Sequence, residues 1–202
     1  MKENKRQLQK NSTRKRIIEA AVNEFAVNGL TTTRTADIAR KAGVSHGTIF
    51  AHFHTQEELL TAVIEDVGER INTRLHEIAG GQKGFSLALK AHIEVLMEFE
   101  PFYTRLVIEN RLLPKEARDT LLMLQSTVSF HLSQAIQKEV EEGSIKKLPE
   151  DMVFNGWIGL VHYYMANSDL FSPEGTVLKK CGEKMIKFYL DMVTCKNKRE
   201  DD

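Results

Sequence analysis

The nineteen residues AGVSHGTIFAHFHTQEELL, numbers 42–60, decide how the N-terminal part of this chain is interpreted. They predict a turn at Gly43, followed by a short helix that Ser45 caps and that runs to about Phe53. A longer helix then starts at Thr55, with acidic residues in its first turn, where negative charge suits the helix dipole. The stretch therefore predicts two helices joined by a tight turn.

Three histidines in this stretch, His46, His52 and His54, raise the possibility of a metal site. Residues four apart share a helix face, whereas these histidines are six and two positions apart. Three ligands on one metal would converge poorly from these positions, and no cysteine lies nearby. We therefore predict surface or phosphate-facing histidines and no metal.

The residues before the stretch complete a small helical unit. A helix is predicted from about residue 12 to residue 28, with Gly29 as its stop, and a short helix capped by Thr33 ends at Gly43. Two helices of two turns each are not stable in isolation, so they need the first helix to pack against. The pattern predicts three helices that contain a helix-turn-helix.

The rest of the chain also has helical periodicity, broken at Gly80–Gly81, Pro101 and Pro114, and it lacks persistent alternating strand patterns. We predict an all-α fold of about nine helices. Beyond residue 54 the predicted helices cover 55–79, 85–99, 102–112, 115–142, 150–167 and 176–194.

Composition and charge limit the classes of function. The 202 residues are 42% apolar, and no apolar run approaches the ~18 residues that span a bilayer, so we expect a cytoplasmic protein. Cys181 and Cys195 are too few for a disulfide framework or a zinc site. Residues 1–54 have ten Lys or Arg and four acidic residues, whereas the remainder has a net charge of −6. This asymmetry indicates an anionic partner, either nucleic acid or a membrane surface.

Residues 14–60, RKRIIEAAVNEFAVNGLTTTRTADIARKAGVSHGTIFAHFHTQEELL, resemble the DNA-binding domain of the TetR (tetracycline repressor) family of bacterial transcriptional regulators. The shared features are the apolar spacing of the first helix, the AGVS turn, Gly47–Thr48, His52–Phe53 and Glu58–Leu59, in this order. The resemblance implies a helix-turn-helix DNA-binding domain at 12–60 and a helical ligand-binding and dimerisation domain at 61–202.

The resemblance also implies which side chains contact DNA. Small or polar residues at the start of a recognition helix let it approach phosphates and base edges. Gly47 is costly inside a helix, so either close approach to DNA or tight helix packing accounts for it. The family often has tyrosine, lysine and arginine where this chain has Phe50, Gln56 and Ala36; Arg34, His54 and the seven-cation N-terminal arm are the hypothesised replacements. The candidate DNA contacts are Thr33, Arg34, Thr35, Ser45, His46, Gly47, Thr48, Phe50, His52, Thr55 and Gln56.

Two further sets of residues are candidates for ligand binding and dimerisation. Aromatic and methionine side chains with a few polar tips suit an apolar pocket, and they suit an ordinary core equally well. The pocket candidates are Met97, Phe102, Tyr103, Met123, Phe130, His131, Trp157 and Tyr163. Apolar stripes on the last two long helices, beside Gly156 and Gly159, predict a four-helix homodimer interface. The interface candidates are Val153, Trp157, Leu160, Val161, Tyr164, Leu178, Met185, Phe188, Tyr189 and Met192.

We therefore expect a ligand-responsive transcriptional repressor that binds a palindromic double-stranded DNA operator as a homodimer and is released by a small apolar or amphipathic effector. The sequence has no Glu-x-x-His pair, no phosphate loop and no nucleophile with a spaced base, so we expect neither an enzyme nor a cofactor. A DNA-architectural protein without a ligand is the alternative, and release of DNA by a small molecule distinguishes the two.

Overall fold

The computed structural model describes residues 2–79 and 84–195, and these residues form nine α-helices. One 3-10 helix, Asn110–Leu112, follows α5, and the described residues contain no strand beyond an isolated bridge between Ile145 and Thr194. The predicted all-α fold is confirmed. The helices are α1 Lys2–Asn28, α2 Thr35–Ala42, α3 His46–His52, α4 Gln56–Ala79, α5 Phe85–Glu109, α6 Lys115–Glu141, α7 Glu150–Ala166, α8 Ser168–Phe171 and α9 Val177–Val193.

The structure corrects the predicted helix boundaries at several points. α1 begins at Lys2 rather than near residue 12, and α8 occupies a segment that was predicted to be a break. Pro101 does not separate two helices, because α5 continues through it. Apolar side chains are buried on both sides of Pro101, and this packing outweighs the hydrogen bond that proline removes. The predicted stop at Gly80–Gly81 lies outside the described residues.

The first three helices form the predicted three-helix unit. α1 packs against α2 and α2 against α3, and Ile17, Phe25, Ile38 and Ile49 are buried among them. Burying a side chain of this size contributes roughly 1.5–3 kcal/mol. Gly43 ends α2 with a φ of 64°, a left-handed conformation that favours glycine.

The chain divides into two compact units that do not follow sequence order. One unit contains residues 1–70 and 101–123, and the other contains residues 71–100 and 124–202. The helices α4, α5 and α6 each contribute residues to both units, and in α5 the division falls at Pro101. The predicted functional division at residues 60 and 61 stays a prediction.

Carboxylates distant in sequence cap two helices of the second unit. Glu139 Oε1 accepts a hydrogen bond from the Phe85 N–H at the start of α5, at 2.7 Å. The buried Glu100 carboxylate accepts hydrogen bonds from the first two amides of α9, including the Val177 N–H at 2.6 Å. Burial raises the pKa of Glu100, while these two amides act in the opposite direction. Negative charge at a helix N-terminus satisfies free amides and suits the helix dipole.

None of the helices in the described part of the chain is long and apolar enough to cross a membrane.

Candidate nucleic-acid interface and internal cavity

The short helix α3 presents a polar, solvent-exposed N-terminal end. Ser45 caps it, as predicted: its hydroxyl accepts a hydrogen bond from the Thr48 N–H at 3.2 Å. Ser45, His46 and Gly47 are exposed, whereas Ile49 on the opposite face is buried in the three-helix core. The geometry is that of a helix held by its apolar side with its polar end available to a groove.

Gly47 is not required for packing. A Cβ atom added to Gly47 would meet only the Ser45 hydroxyl, at 3.9 Å. The alternative explanation of Gly47, tight contact between helices, therefore finds no support in the chain itself. The other explanation of Gly47, close approach to DNA, stays a prediction.

The starts of α2 and α3 are linked by side chains. The Thr35 hydroxyl lies 2.8 Å from His46 Nε2 on α3, within hydrogen-bond distance. The ring of Phe50 lies edge-on to that of His46, with 5.0 Å between their centroids, and Phe50 is 42% exposed. Thr35, His46 and Phe50 thus form one continuous polar and aromatic surface.

Thr33 has a structural role that the sequence analysis missed. Its side chain is buried, and its hydroxyl donates to the Gly29 carbonyl at 2.6 Å. The prediction that Thr33 caps α2 is wrong, because Arg34 occupies the cap position and makes no side-chain cap hydrogen bond. The predicted phosphate contact from Thr33 is corrected as well, because a buried hydroxyl that donates into the protein cannot reach a phosphate.

Gln56 and Thr55, at the start of α4, are also engaged within the chain. Gln56 Nε2 donates to the Thr33 carbonyl at 2.8 Å, so it ties α4 to the residue that precedes Arg34. The Thr55 hydroxyl accepts a hydrogen bond from the Glu58 N–H at 3.0 Å and caps α4. At the position where relatives often have a phosphate-binding lysine, this chain therefore has a side chain that positions the start of α2.

The three histidines of the opening stretch have different surroundings. His54 Nδ1 lies 3.1 Å from a Glu58 carboxylate oxygen, and hydrogen bonds from His54 lower the pKa of Glu58. Burial, with the positive charges of Lys10 and Arg14, lowers the pKa of His52. His46 faces Thr35 instead. Within residues 2–79 and 84–195, no three His, Cys, Asp or Glu side chains are grouped to hold a metal.

A carboxylate and a guanidinium at the end of α5 hold the turn between α1 and α2, and the sequence analysis missed both. Arg105 donates to the last carbonyls of α1, those of Ala26 at 3.3 Å and Val27 at 3.1 Å. Glu109 Oε2 accepts from the Leu30 N–H at 3.0 Å and from Thr31. We call these two residues the α5 clamp. Their i,i+4 spacing in the sequence is an ordinary helix pair, so nothing there indicated contacts 78 or 79 positions away.

The second unit contains a cavity of about 590 Å³, within the range of small-molecule sites. Apolar side chains of α4, α5 and α6 form much of its wall, His92 and His131 add polar groups, and Lys138 and two glutamates add charge. Such a wall suits an amphipathic ligand. The lining residues are Leu75, Gly84, Ala88, Ala91, His92, Val128, His131, Leu132, Gln134, Ala135, Lys138, Glu139 and Glu142.

His92 is a neutral hydrogen-bond donor in the cavity wall. Its Nδ1 accepts from the indole N–H of the buried Trp157 at 3.0 Å. Burial, with a contribution from His162, lowers the pKa of His92 to about 3. Because indole only donates, Nδ1 carries no proton, and the proton of the neutral ring is on Nε2. His92 is therefore a neutral residue of the cavity wall, which also contains the polar side chains of His131, Gln134 and Lys138.

The structure does not bring the eight predicted pocket residues together. His131 lines the cavity, whereas Trp157 is fully buried in the core. Phe102 and Tyr103 are buried in the other unit, which also contains Met123, and Met97 lines an open groove between α5 and α9. Phe130 and Tyr163 are largely exposed. Phe102, Tyr103 and Trp157 are core residues, whereas Met97, Met123, Phe130 and Tyr163 are exposed, so the eight residues do not form one pocket.

The predicted interface residues divide into buried and accessible members. α7 and α9 pack on each other, and this packing buries Val153, Trp157, Val161, Leu178, Met185 and Tyr189 within the chain. Leu160 and Tyr164 are half-buried, while Phe188 is 53% and Met192 46% exposed. Gly156 packs against the Tyr189 ring, whereas Gly159 has no neighbour within 4 Å of an added Cβ. α7 and α9 therefore have a small accessible apolar surface. It consists of Met152, Tyr163, Phe188 and Met192, with Gly159 among them on α7.

Sequence comparison finds a family match for the N-terminal residues. Residues 17–63 match the family described as "Bacterial regulatory proteins, tetR family". An HTH-type transcriptional repressor of Mycobacterium tuberculosis is 38% identical over 63 residues, which are 31% of this chain and 34% of the relative. The match thus spans about a third of the length of that relative. The fatty acid metabolism regulator protein of Bacillus subtilis is 28% identical over 175 residues, 81% of this chain and 90% of the relative.

Solved structures share the fold along nearly the whole chain. A TetR-family regulator from Agrobacterium tumefaciens superposes with a TM-score of 0.77 at 16% identity and covers 92% of this chain and 100% of its own. The regulator FadR from Bacillus subtilis, in complex with stearoyl-CoA, gives a TM-score of 0.71 at 19% identity, over 88% of this chain and 98% of its own. At these identities the likeness concerns the fold alone.

Proposed function

We propose that the chain is a regulator of the TetR family, a transcriptional repressor that binds a palindromic operator as a homodimer and releases it when a small molecule binds. The exposed polar end of α3 carries this proposal. Ser45, His46 and Gly47 are accessible there, and Gly47 has no packing role in the chain. Two such helices in a dimer would read half-sites about 34 Å apart, or a multiple of that distance.

The domain assignment follows from this role. We assign DNA binding to residues 12–60 and ligand binding with dimerisation to residues 61–202, without catalytic activity. The accessible α7–α9 residues defined above, Met152, Gly159, Tyr163, Phe188 and Met192, form the proposed dimer face. A chromosomal operator would place the regulator in the cytoplasm.

The 590 Å³ cavity is the proposed effector site. Its apolar wall suits a small apolar or amphipathic molecule, and the polar side chains of His92, His131 and Gln134 in the same wall are the groups that could orient it. Long-chain acyl thioesters are the first ligands to test, because the chain is similar to a fatty acid metabolism regulator and to a regulator crystallised with stearoyl-CoA. The ligand must bind the DNA-free state more tightly than the DNA-bound state to cause release.

Operator selection with the purified chain, followed by a release assay, tests the proposal. We expect enrichment of a palindromic duplex and its release by stearoyl-CoA or a related amphiphile, with a rise in the melting temperature of the free protein. Failure to enrich any sequence above a random pool would refute sequence-specific regulation. Enrichment without release by any ligand in the screen would favour the DNA-architectural alternative.

A cavity-filling variant separates the two activities. Ala88→Phe places a large side chain in the cavity wall, in the unit that does not contain α3. We expect wild-type operator affinity and loss of ligand-induced release. A variant that still responds to the ligand would locate the effector elsewhere.

A further inference from the structure

Charge in the N-terminal part of the chain is concentrated on its first sixteen residues. Residues 1–16 contain seven Lys or Arg and one acidic residue, whereas residues 17–54 contain three of each. The net charge of +6 therefore belongs entirely to the segment before the packed helices, and the helix-turn-helix itself is neutral. Because cations at phosphates supply much of the affinity for DNA, a neutral helix-turn-helix needs positive charge from another element.

The structure makes this segment a helical continuation of α1. The buried face of α1 begins at Ile17, and residues 5–12 and 14–16 are exposed. At 1.5 Å per residue, residues 2–16, which we call the α1 overhang, extend about 22 Å beyond the packed part of the helix. Among the described side chains, no ion pair joins a carboxylate to a cation of the overhang, although the charge of Arg14 helps to lower the pKa of Glu58. The positive charge of the exposed Arg6 and Lys10 is available to a partner.

Three cations of the overhang form a stripe that starts beside the recognition helix. Arg6, Lys10 and Arg14 are four residues apart and so follow one face of α1. The Arg14 guanidinium lies 5.0 Å from the centroid of the Phe53 ring, directly after α3. The charges of Lys10 and Arg14 also reach His52, the last residue of α3. From Arg6 to Arg14 the stripe covers about 12 Å, the rise of three to four base pairs.

The composition of the overhang favours nucleic acid over a membrane. A helix that lies in a lipid interface needs a broad apolar face beside its cations. In the overhang the sole large apolar side chain after the initial Met is Leu8, which is 63% exposed. A polyanion without an apolar interior matches this surface better than a bilayer does.

We propose that the α1 overhang is a second DNA-contacting element, in which Arg6, Lys10 and Arg14 bind backbone phosphates of the duplex that flanks the bases read by α3. This inference rests on the proposed DNA binding. The overhang adds affinity for every sequence alike, since phosphates carry no sequence information. It also lengthens the footprint of each protomer.

The triple variant Lys5→Ala, Arg6→Ala, Lys10→Ala tests the proposal, because all three side chains are exposed and the contact of Arg14 with Phe53 is left intact. The variant Lys179→Ala, Lys180→Ala, Lys184→Ala removes the same charge from exposed positions of α9 and is the matched control. Binding to the selected operator and to a scrambled duplex is measured as a function of salt. We expect the log–log salt slope to fall in magnitude by about 0.9 for each lost phosphate contact, about 1.8 per protomer for the contacts of Arg6 and Lys10, on both duplexes.

Footprinting, sequence preference and vesicle binding distinguish failure of the overhang contact from failure of DNA binding as a whole. We expect the hydroxyl-radical footprint of the variant to shorten at its outer edges and its preference for operator over scrambled duplex to stay unchanged. A salt slope equal to that of the wild type, or an equal loss in the α9 control, would overturn the inference while leaving DNA binding in place. Loss of binding to phosphatidylserine vesicles with an unchanged duplex slope would overturn it in favour of a membrane contact. A wild-type chain that binds no duplex would instead refute the proposed function.

Discussion

The carboxylate of Glu109 contacts Thr31 twice, since it accepts hydrogen bonds from both the backbone N–H and the hydroxyl of Thr31, each at 3.1 Å. The Thr31 residue lies in the turn between α1 and α2, just before the residues proposed to approach DNA. The third donor to this carboxylate is the Leu30 N–H. A charged acceptor therefore fixes the conformation of a turn whose amides would otherwise lack partners.

Removal of this acceptor should destabilise the chain. We expect Glu109→Ala to lower the free energy of unfolding by about 2–3 kcal/mol, because hydrogen bonds to a charged, largely buried group are lost together. Glu77→Ala, which removes an exposed partner of Arg74, should cost less than about 1 kcal/mol. Urea unfolding of both variants checks the prediction; equal losses would mean that the α5 clamp contributes no more than a surface ion pair.

Gly29 should be more sensitive to substitution than another glycine of similar conformation. Its φ is +91°, and an added Cβ would lie 2.9 Å from the Thr32 hydroxyl and 3.0 Å from a Glu109 carboxylate oxygen. Gly143 has a φ of +75° and no neighbour within 4 Å of an added Cβ. We expect Gly143→Ala to cost about 1 kcal/mol for its backbone conformation and Gly29→Ala about 2–4 kcal/mol, because crowding adds to it. Thermal unfolding of the two variants measures the difference. Similar costs would show that the Glu109 carboxylate moves away from the added Cβ without loss of stability.

Phe50 offers a gain-of-function test at the proposed DNA interface. Phe50→Tyr adds a hydroxyl to a ring that is 42% exposed, at a position where relatives often have tyrosine. We expect the affinity for operator and scrambled duplex to rise about three- to tenfold, since a phosphate hydrogen bond does not depend on sequence. Fluorescence anisotropy on both duplexes checks this. An increase confined to the operator would place the ring against a base instead.

A charge on the proposed dimer face should produce monomers. Phe188→Glu introduces a carboxylate on an accessible residue of α9, and Phe130→Glu does the same on α6, where the phenylalanine is 61% exposed. We expect sedimentation to show a monomer for Phe188→Glu and a dimer for Phe130→Glu, with loss of operator binding in the former only. If both variants stay dimeric, the dimer interface does not include Phe188 on α9.

Acidification should destabilise the chain through two histidines, the buried His92 and the half-buried His162. Burial lowers the pKa of His92 to about 3 and that of His162 to about 4, both from an ordinary value of 6.5. Between these values and pH 6.5 the unfolded state binds more protons, so the free energy of unfolding falls as the pH falls. At pH 5 each histidine should account for about 2 kcal/mol relative to pH 8. His92→Gln should flatten this dependence in urea unfolding, and a dependence equal to that of the wild type would contradict the prediction.

The sequence predicted the local elements of the DNA-binding part better than the long-range contacts. Ser45 and Gly43 act through adjacent backbone, so short patterns were enough to place α3 and the turn before it. Thr33 could not be assigned correctly, because its hydroxyl donates to the carbonyls of Gly29 and Glu24 rather than accepting from an amide of the helix that follows. The contacts of Glu109 and the burial of Trp157 depend on partners more than sixty residues away. Contacts at such distances leave no periodic pattern in the sequence, and this is why the pocket prediction combined core residues such as Trp157 with exposed ones such as Phe130.

The sharing of α4, α5 and α6 between the two units has a consequence for chimeric regulators. A chimera that takes only residues 12–60 from this chain would lack Arg105 and Glu109. The turn after α1 would then lose the side chains that hydrogen-bond to it. Residues 101–123 belong to the same compact unit as residues 12–60, although they lie far from them in the sequence. We therefore expect the proposed operator specificity not to transfer with residues 12–60 alone, and a working graft to need the matching end of α5.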